Sequence, residues 1–596
     1  MSLFEELKRR NVLRVGTAYV VVAWLIIQVV ETIFPAFGFG DPAVRFATIV
    51  LAIGLIPTLV LAWAFELTPE GLKKEKDVDR SRSIAPRTGK KLDRIIMAVL
   101  AIALSYFAFD KFVLSESRDA SIPASEHQEG RGDAFVDTYG DKSIAVLPFA
   151  NLSDDAGNEY FSDGISEEIL NLLAKIPELR VISRSSAFAY KGKEVHIPDV
   201  AQKLRVSHVL EGSVRKSGAR VRITVQLIDA RSDKHLWSQT FDRTLDDIFA
   251  VQDEISAAVV DSLKITLIEE APASRPVDPE AYALYLRGKS VAQIHSEENL
   301  QQGAKLLLEA LGIEPEFADA WAALASIRTN QAGRNYLPKE EGATQARIAN
   351  ERALEIDPGN ATARSGLCWI QMYYEWDIVA TSACVQSALE FSPRNASVLN
   401  IAATFYGNIG RLDLALDAYQ KAQETDPLSA SIIFNLVLAY IDAGQIDNAA
   451  TQLEVGRSLY SDEPFVDVFD AAIALRRGMP EDALTRAENM PGSMGSWIRG
   501  FAYHDLARPA DVDFELKQLE SSGATEAAYI MASLYAYRGD ADAAFGWLER
   551  SFESGDTNLV EMRDKYFWEK IHDDPRWQPF LARIGISDAD IAALGY

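Results

Sequence analysis

The feature that most constrains this chain is a pair of predicted helices that ends at a proline and then recurs. Residues 396–427 contain two runs with helical spacing, separated by Gly410 and closed by Asp426-Pro427. Apolar or small residues at positions i, i+3, i+4 and i+7 mark one face of a helix, and proline disfavours helix in the residue before it. Two helices cannot bury such faces alone, so the pattern requires neighbouring pairs.

Further prolines at a similar spacing supply those neighbours. Successive breaks lie 43, 35, 34 and 37 residues apart, and they occur at Pro315, Pro358, Pro393, Pro427 and Pro464. In its aromatic, small-residue and proline positions this region resembles the tetratricopeptide repeat family, whose period is about 34 residues. The resemblance implies an all-α solenoid of seven or eight units between residues 279 and 556. A nonrepetitive helical domain is the alternative.

Three apolar segments occur near the amino terminus. Residues 15–34, 46–65 and 95–114 are each long enough to cross about 30 Å of hydrocarbon. A cleaved signal peptide fits poorly, because the first segment is long and further apolar segments follow it. The third segment is interrupted by Asp110-Lys111, so it either spans the membrane or lies on its surface. We predict that residues 1–114 form a membrane anchor of three transmembrane helices in contact with lipid.

The distribution of Lys and Arg predicts how this anchor is oriented. Four basic residues precede the first segment, residues 35–44 contain none, and residues 72–94 contain nine. Because short cytoplasmic flanks are rich in Lys and Arg, the amino terminus is predicted to be cytoplasmic. Three crossings of a bacterial inner membrane then place the residues after about 115 in the periplasm. The bacterial assignment follows from the family resemblances.

A polar linker and an α/β region follow the anchor. Residues 115–141 are rich in Ser, Asp, Glu, Gly and Ala, a composition typical of a flexible linker. Residues 220–229, RVRITVQLID, alternate apolar and polar side chains, which indicates a half-buried antiparallel strand. Ser217-Gly218 predicts the hairpin turn before it. The predicted order βαβαβββα over residues 142–267, closed by a helix over 248–267, indicates helices packed on a mixed sheet.

Four stretches of this α/β region carry a second resemblance. They are IAVLPF (144–149), YFSDGISEEIL (160–170), HVLEGSVRKSGARVRITVQLID (208–229) and DKHLWSQTFDR (233–243). Together they make the region similar to the amino-terminal domain of TolB and to the FlgO-type flagellar outer-membrane domain. Such domains occur joined to tetratricopeptide repeats, and elsewhere to adenylate cyclases or winged-helix regulators. The resemblance implies an envelope or signalling context and supplies no reaction.

The sequence offers no recognisable catalytic machinery. It contains no P-loop, nucleophile elbow, GxGxxG or zinc motif, so we predict no enzyme and no catalytic, cofactor-binding or metal-binding residues. A net charge of −26 argues against nonspecific nucleic-acid binding. Acidic residues do gather around the first predicted helix of the α/β region, at Asp154, Asp155, Glu159, Asp163, Glu167 and Glu168. Their spacing matches no EF-hand loop, so helix capping and dipole complementation explain them better than a cation site.

The chain has two cysteines, Cys368 and Cys384, on opposite helices of one predicted pair. Because paired helices run antiparallel, the two positions could come within bridging distance, and an oxidising periplasm would favour a disulfide. Two buried free thiols are the alternative.

Aromatic residues are concentrated in the third repeat and in the tail. Trp369, Tyr373, Tyr374 and Trp376 either form a partner-binding site or belong to the repeat core. Residues 557–596 are also rich in aromatic side chains, resemble the terminal segment of similar bacterial repeat proteins, and predict a helical cap on the end of the solenoid.

These features together predict a membrane-anchored, nonenzymatic scaffold that binds protein partners through its solenoid. The alternative is a transmembrane signal receptor or regulatory subunit. It would act on a separate cytoplasmic cyclase or transcription regulator, because no output domain is recognised before the first apolar segment. The sequence identifies no small-molecule ligand.

Overall fold

A computed structural model describes residues 140–263 and 276–595, except residues 141, 154, 177, 194, 219, 245–246, 462 and 523–526. Before residue 140 it describes the helical residues 19, 23, 51, 54, 55 and 58 and an antiparallel hairpin of strands β1 (Phe65–Thr68) and β2 (Gly71–Lys74). Residues 1–127 and 128–596 form two compact units.

The three predicted membrane segments lie almost entirely outside the described residues. Tyr19 of the first segment donates a hydrogen bond of 2.7 Å from its hydroxyl to the carbonyl of Leu51 in the second. Phe65, the last residue of the second segment, lies in β1. Within the described part of the chain, no helix is both long enough and apolar enough to cross a membrane.

The second unit begins with a mixed sheet of six strands. They are β3 (Ser143–Val146), β4 (Ala150–Asn151), β5 (Arg180–Val181), β6 (His208–Ser217), β7 (Arg220–Asp229) and β8 (Lys234–Thr244). The strand order is β5–β3–β6–β7–β8, with β4 beside β6. Strand β3 is parallel to β5 and β6, whereas β6, β7 and β8 are antiparallel to one another. The predicted mixed sheet is therefore confirmed.

Strand β7 has the predicted alternation. Val221, Ile223 and Val225 are buried, whereas Arg222 is exposed. Gly218 makes the turn before the strand with a positive φ of +60°, which a residue without a Cβ adopts at little cost.

Four helices pack on this sheet: α1 (Glu159–Ala174), α2 (Arg184–Phe188), α3 (Ile197–Leu204) and α4 (Ile248–Ser262). Helices α1 and α4 share one apolar core with β3, β6 and β7, and α3 packs on the opposite face. The sequence pattern missed β4 and α2, because elements of two and five residues are too short to show a period. The predicted closing helix extends to residue 267, but α4 ends at Ser262, and residues 264–275 lie outside the described part.

Sixteen helices follow among the described residues and form eight consecutive antiparallel pairs. Pairs 1 to 4 are α5 (Pro279–Ala292) with α6 (Glu297–Ile313), α7 (Ala318–Gly333) with α8 (Lys339–Ile356), α9 (Ala361–Tyr373) with α10 (Ile378–Phe391), and α11 (Ala396–Asn408) with α12 (Leu412–Thr425). Pairs 5 to 8 are α13 (Ala430–Asp442) with α14 (Ile446–Leu459), α15 (Pro464–Arg476) with α16 (Pro480–Ala487), α17 (Gly492–Asp505) with α18 (Pro509–Ser522), and α19 (Ala527–Arg538) with α20 (Ala541–Glu553). This array confirms the predicted tetratricopeptide-like helical region.

The helices begin where short polar side chains can satisfy their free backbone N–H groups. Asn360, Asn395 and Ser429 precede α9, α11 and α13, and the side chain of each accepts a hydrogen bond from the first turn of its helix. Inside pair 4, Gly410 turns the chain with φ +79°. The residue that interrupted the helical pattern in the sequence is therefore the turn of the hairpin.

The chain ends in short helical elements. Two 3₁₀ helices (Thr557–Glu561 and Tyr566–Ile571) precede α21 (Trp577–Arg583) and α22 (Asp588–Ala593). The prediction placed a cap on the end of the solenoid. In the structure this segment also contacts pairs far from the end.

Candidate protein-binding groove

The candidate site is the surface formed by the first helices of pairs 3 to 8, namely α9, α11, α13, α15, α17 and α19. We call this surface the inner groove. Small side chains such as Ala402 and Ala471 are fully buried in these helices, which allows the neighbouring helices to approach closely. A row of parallel first helices is the surface on which helical repeats usually bind peptides.

The four predicted partner-binding aromatics are brought together only in part. Trp369 is 36% exposed and its ring stacks on Tyr373, with 4.0 Å between ring centroids. Tyr373 is buried and donates a hydrogen bond of 2.7 Å to the carboxylate of Glu561. Tyr374 packs instead against the small side chains of pair 2. The ring of Trp376 lies 5.2 Å, between centroids, from the ring of Phe552 in pair 8.

The inner groove is occupied by the chain's own carboxyl-terminal segment, residues 557–586, which we call the strap. Val560 and Ile584 of the strap line a small gap together with Phe405 of α11. Gly585 lies so close to the carbonyl of Trp376 that a Cβ added there would be 2.7 Å from the carbonyl oxygen. The strap therefore reaches from the end of the array back to pair 3.

Successive strap residues contact successive pairs. Lys565 donates to the Asp442 carboxylate at the end of α13, at 2.6 Å. The ring of Tyr566 lies 4.5 Å beneath the guanidinium of Arg476 on α15. Phe567 stacks on Phe501 of α17, and Trp568 meets Tyr529 of α19 edge to face. A peptide bound across a row of helices makes this kind of contact, with one side chain for each step along the array.

A buried ion pair positions the centre of the strap. The Lys565 and Asp442 side chains are only 15% and 11% exposed. Burial by itself would lower the pKa of Lys565, but the carboxylates of Asp442 and Glu561 raise that pKa above its ordinary value. Lys565 is therefore charged at neutral pH. Removing either partner of such a pair leaves an uncompensated buried charge, which is strongly destabilising.

Apolar burial contributes more to strap binding than these polar contacts. Eleven strap side chains are at most 5% exposed, and they are Leu559, Val560, Met562, Phe567, Trp568, Ile571, Trp577, Phe580, Leu581, Ile584 and Ile586. At roughly 1.5–3 kcal/mol for each side chain, the sum is roughly 16–33 kcal/mol as an upper bound. A competing partner segment would have to bury a comparable apolar area in the groove to displace the strap.

The α/β region also packs on the array, through an ion pair and a close contact between α1 and α5 of pair 1. Glu167 of α1 accepts an ion pair from Lys289 of α5 at 2.7 Å and another from Arg184 at 2.9 Å. Burial raises the pKa of Glu167, but the two cations together hold it below its ordinary value. Gly164 of α1 faces Leu286 of α5 so closely that a Cβ would lie 2.4 Å from the leucine side chain.

Glu168 lies beside this ion pair. Its burial, and then the nearby carboxylates of Asp319 and Glu167, raise the pKa of Glu168 to about 8. Burial likewise raises the pKa of Asp319, whose carboxylate accepts a hydrogen bond of 2.8 Å from Asn360. At neutral pH Glu168 is thus mainly protonated.

A second contact joins the α/β region to the turn between pairs 4 and 5, and we call it the latch. The Asp426 carboxylate accepts hydrogen bonds from the hydroxyls of Ser185 and Ser186. The Ser186 hydroxyl in turn accepts from the backbone N–H of Leu428, at 2.7 Å. The N–H of Ser183 donates to the carbonyl of Thr425 at 2.8 Å. The Asp-Pro turn recognised in the sequence as a helix break is also a docking point.

The acidic cluster predicted around α1 is largely paired with cations of the protein. Lys191 lies 3.0 Å from Glu159 and 2.5 Å from Asp163. Asp155 accepts from the N–H of Gly157 in a local turn, and Asp154 lies outside the described residues. In the described part of the chain, no three His, Cys, Asp or Glu side chains are grouped in a way that could hold a metal ion. These contacts favour a structural role for the cluster.

The structure joins Cys368 of α9 to Cys384 of α10 in a disulfide, with 5.5 Å between the Cα atoms. The bridge links the two helices of pair 3, the pair at which the strap ends. Cys368 is completely buried, and Cys384 is partly exposed.

Sequence reasoning missed Lys565, Asp442 and Gly585, and it identified Asp426 only as the end of a helix. The spacing of the helices cannot show that the aromatic tail folds back over the array. A tail with many aromatic and aliphatic residues was the available signal, because such a composition requires a large apolar surface to cover it.

Comparison with known proteins identifies similarity to transcriptional regulators and to a protein named as a putative adenylate cyclase. Residues 140–258 match the family described as the second domain of HilA/YgeH-like transcriptional regulators. A protein named putative adenylate cyclase 3 from Rhizobium meliloti (strain 1021) is 40% identical over 242 residues, which cover 38% of this chain and 40% of that protein. The transcriptional regulator HilA of Salmonella typhimurium (strain LT2) is 29% identical over 171 residues, which cover 28% of this chain and 30% of HilA. The chain thus spans well under half the length of either relative.

Three solved structures illustrate the structural similarities. A tetratricopeptide repeat protein from Parabacteroides merdae is 12% identical with a TM-score of 0.31, covering 41% of this chain and 98% of that protein. The type IV pilus biogenesis factor PilW is 15% identical with a TM-score of 0.31, covering 40% and 98%. Yeast Tom70 is 18% identical with a TM-score of 0.33, covering 52% and 69%.

Proposed function

We propose that this protein is a membrane-anchored, nonenzymatic scaffold of the bacterial envelope that binds other proteins. The observation that carries the proposal is the array of eight helical pairs, which keeps large apolar side chains exposed outside the inner groove, Phe514 among them. Helical repeats of this kind offer extended surfaces to partner segments. The α/β region, which resembles TolB, docks on pair 1 and at the latch and so presents the array in one orientation.

The proposed location depends on the three apolar segments and on their charged flanks. Residues 15–34, 46–65 and 95–114 span the inner membrane in this proposal, and the second compact unit faces the periplasm. An alkaline phosphatase fusion after residue 130 is expected to be active, and a green fluorescent protein fusion at the same site is expected to be dark. The reverse result would place the unit in the cytoplasm and contradict an envelope role.

A second candidate is a regulatory subunit or receptor that acts on a separate cyclase or transcription regulator. The named relatives support it, because one is a putative adenylate cyclase and the other a transcriptional regulator. In this reading the α/β region and the array receive a signal that the anchor transmits to an enzyme or regulator of the cytoplasm.

Site-specific photocrosslinking in living cells distinguishes the two. Phe514 on α18 is 58% exposed, so a photoreactive phenylalanine analogue there samples the outer surface. The same analogue at Phe501, which is 2% exposed, is the matched control for buried positions. Adducts of the exposed position with envelope assembly proteins would support the scaffold, and adducts with a cyclase, kinase or transcription factor would support the regulator. The absence of adducts at this and further exposed positions would contradict both.

A further inference from the structure

The strap raises the question of whether the inner groove is open to other proteins. We propose that the strap is the permanent ligand of the inner groove, so that partner proteins bind outside the groove of pairs 3 to 8. The first part depends only on the contacts of the strap. The second part rests on the proposed function, because it concerns where partners of a scaffold would bind.

The first argument is the continuity of the contacts. Pair 3 meets the strap through Tyr373 and Glu561, pair 5 through Asp442 and Lys565, and pair 8 through its two helices. On α20 the carboxylate of Glu549 pairs with Arg583 of the strap at 2.6 Å. A foreign segment would have to displace contacts along six consecutive pairs at once.

The second argument is the burial of the strap's own side chains. A lid that opens exposes few apolar groups, because each exposed group makes opening less favourable. Trp568, Leu581 and Ile586 are instead completely buried. A cavity between the strap and pairs 3 and 4 encloses about 10 Å³, which is at the lower limit of the space that holds one water molecule.

The third argument is that the groove is shaped for this segment. Gly410 turns pair 4 with φ +79°, and a Cβ at that position would lie 2.3 Å from the Asp564 carboxylate of the strap. The strap's Gly585, with φ +73°, similarly allows its close approach to Trp376. At Gly585 the absence of a Cβ permits the strap to approach the backbone of Trp376, whereas at Gly410 it leaves room for the Asp564 side chain.

Hydrogen exchange of the intact chain in detergent tests permanence directly. The N–H groups of Trp568 and Phe580 are hydrogen-bonded within the strap, to Lys565 and Arg576. We expect these amides to exchange as slowly as those in the middle of α17 and α19. Exchange faster by about 100-fold or more would show that the strap opens by itself, and would overturn the proposal.

A peptide added in trans provides an independent test. A fluorescein-labelled peptide with the sequence of residues 556–586 is mixed with the intact chain and followed by anisotropy. No binding is expected, because the groove is filled. Binding that a tenfold excess of unlabelled peptide abolishes would show that the strap leaves the groove, and would overturn the proposal.

A loosened strap supplies the positive control. Phe567→Ala removes a ring that packs on Phe501 and Trp497. We expect the amount of labelled peptide bound by this variant to be at least tenfold the amount bound by the wild type. Phe514→Ala changes an exposed ring outside the groove and is expected to behave as the wild type. If Phe567→Ala proves unfolded by circular dichroism, the exchange measurement on the wild type still decides the question.

Photocrosslinking then tests where partners bind. The adducts formed from the Phe514 position are expected to be the same in the wild type and in a Phe567→Ala background. New adducts that appear from the groove position Trp369 only when the strap is loosened would identify the strap as an inhibitor of partner binding and overturn its permanent role. If the wild type forms no adducts at any position, the proposed function fails, while hydrogen exchange still tests the strap.

Discussion

At the level of single residues, Glu168 is expected to make stability depend on pH. Its folded-state pKa of about 8 lies above the ordinary value of 4.5. Between these values the folded protein holds a proton that the unfolded chain releases, so the free energy of unfolding falls as pH rises through this window. The slope from one group is at most about 1.4 kcal/mol per pH unit. We expect Glu168→Gln, which cannot ionise, to flatten it.

Urea unfolding at pH 5, 6.5 and 8 measures this slope in the wild type and in the variant. Glu298→Gln changes an exposed glutamate on α6 and serves as the matched control. The prediction requires the free energy of unfolding of Glu168→Gln, measured relative to that of the wild type, to rise with pH. Parallel curves for the two proteins would contradict it.

Gly585 offers a second prediction for a single residue. Gly585→Ala would place a Cβ 2.7 Å from the Trp376 carbonyl oxygen at φ +73°, whereas Gly555 has φ +62° with open space around it. A left-handed conformation costs an alanine about 1–2 kcal/mol, and overpacking adds about 1–3 kcal/mol. Gly585→Ala should therefore destabilise the protein more than Gly555→Ala, as measured by thermal unfolding. Equal decreases in melting temperature for the two variants would show that Gly585 is not tightly packed against Trp376.

At the level of elements, the disulfide of pair 3 is expected to stabilise the helix pair that holds the end of the strap. The two cysteines are 16 residues apart, and closing a loop of that size contributes about 3 kcal/mol in the chain-entropy model. Protein purified under oxidising conditions should contain no thiol that can be labelled after denaturation without reductant. Reduction should lower the denaturation midpoint, and Cys384→Ser should lower it equally. Full labelling of both cysteines would rule out the bridge.

The elements also show how far the sequence leads. The array was predictable because prolines recur every 34 to 43 residues between Pro315 and Pro464 and apolar or small residues recur at helical spacing between them, and β7 because its alternation is regular. Helix α2 was not, since its sequence RSSAF has no period and its residues are placed by the latch. The aromatics at 369–376 were predicted as a group, yet Tyr374 and Trp376 pack in different directions. The surroundings of Tyr373 and Trp376 depend on the strap, which lies nearly 200 residues away in the sequence, and no local pattern carries that information.

At the level of the whole molecule, the second unit is expected to unfold as one body. An isolated repeat array unfolds in parts, because each repeat contacts only its neighbours. Here the α/β region joins pair 1 to the turn between pairs 4 and 5, and the strap joins pairs 3 to 8. Peptides from α1, α9 and α19 should therefore lose hydrogen-exchange protection at the same guanidinium concentration in the wild-type chain. Separate transitions would show that these contacts do not couple the elements.

Breaking the latch should separate the α/β region from the array. Asp426→Ala removes the acceptor of two serine hydroxyls at a site that is 6% exposed. Ser186 is buried whereas Ser185 is exposed, and one unsatisfied buried group costs about 1–3 kcal/mol. The α1 peptides should then lose protection at a lower guanidinium concentration than those of α19, which the strap still covers. Asp413→Ala removes an exposed carboxylate on the same helix α12 that pairs with Arg411. In this variant the α1 and α19 peptides should still lose protection at the same guanidinium concentration. If Asp426→Ala also leaves them together, the contacts between α1 and α5 alone suffice to couple the α/β region to the array.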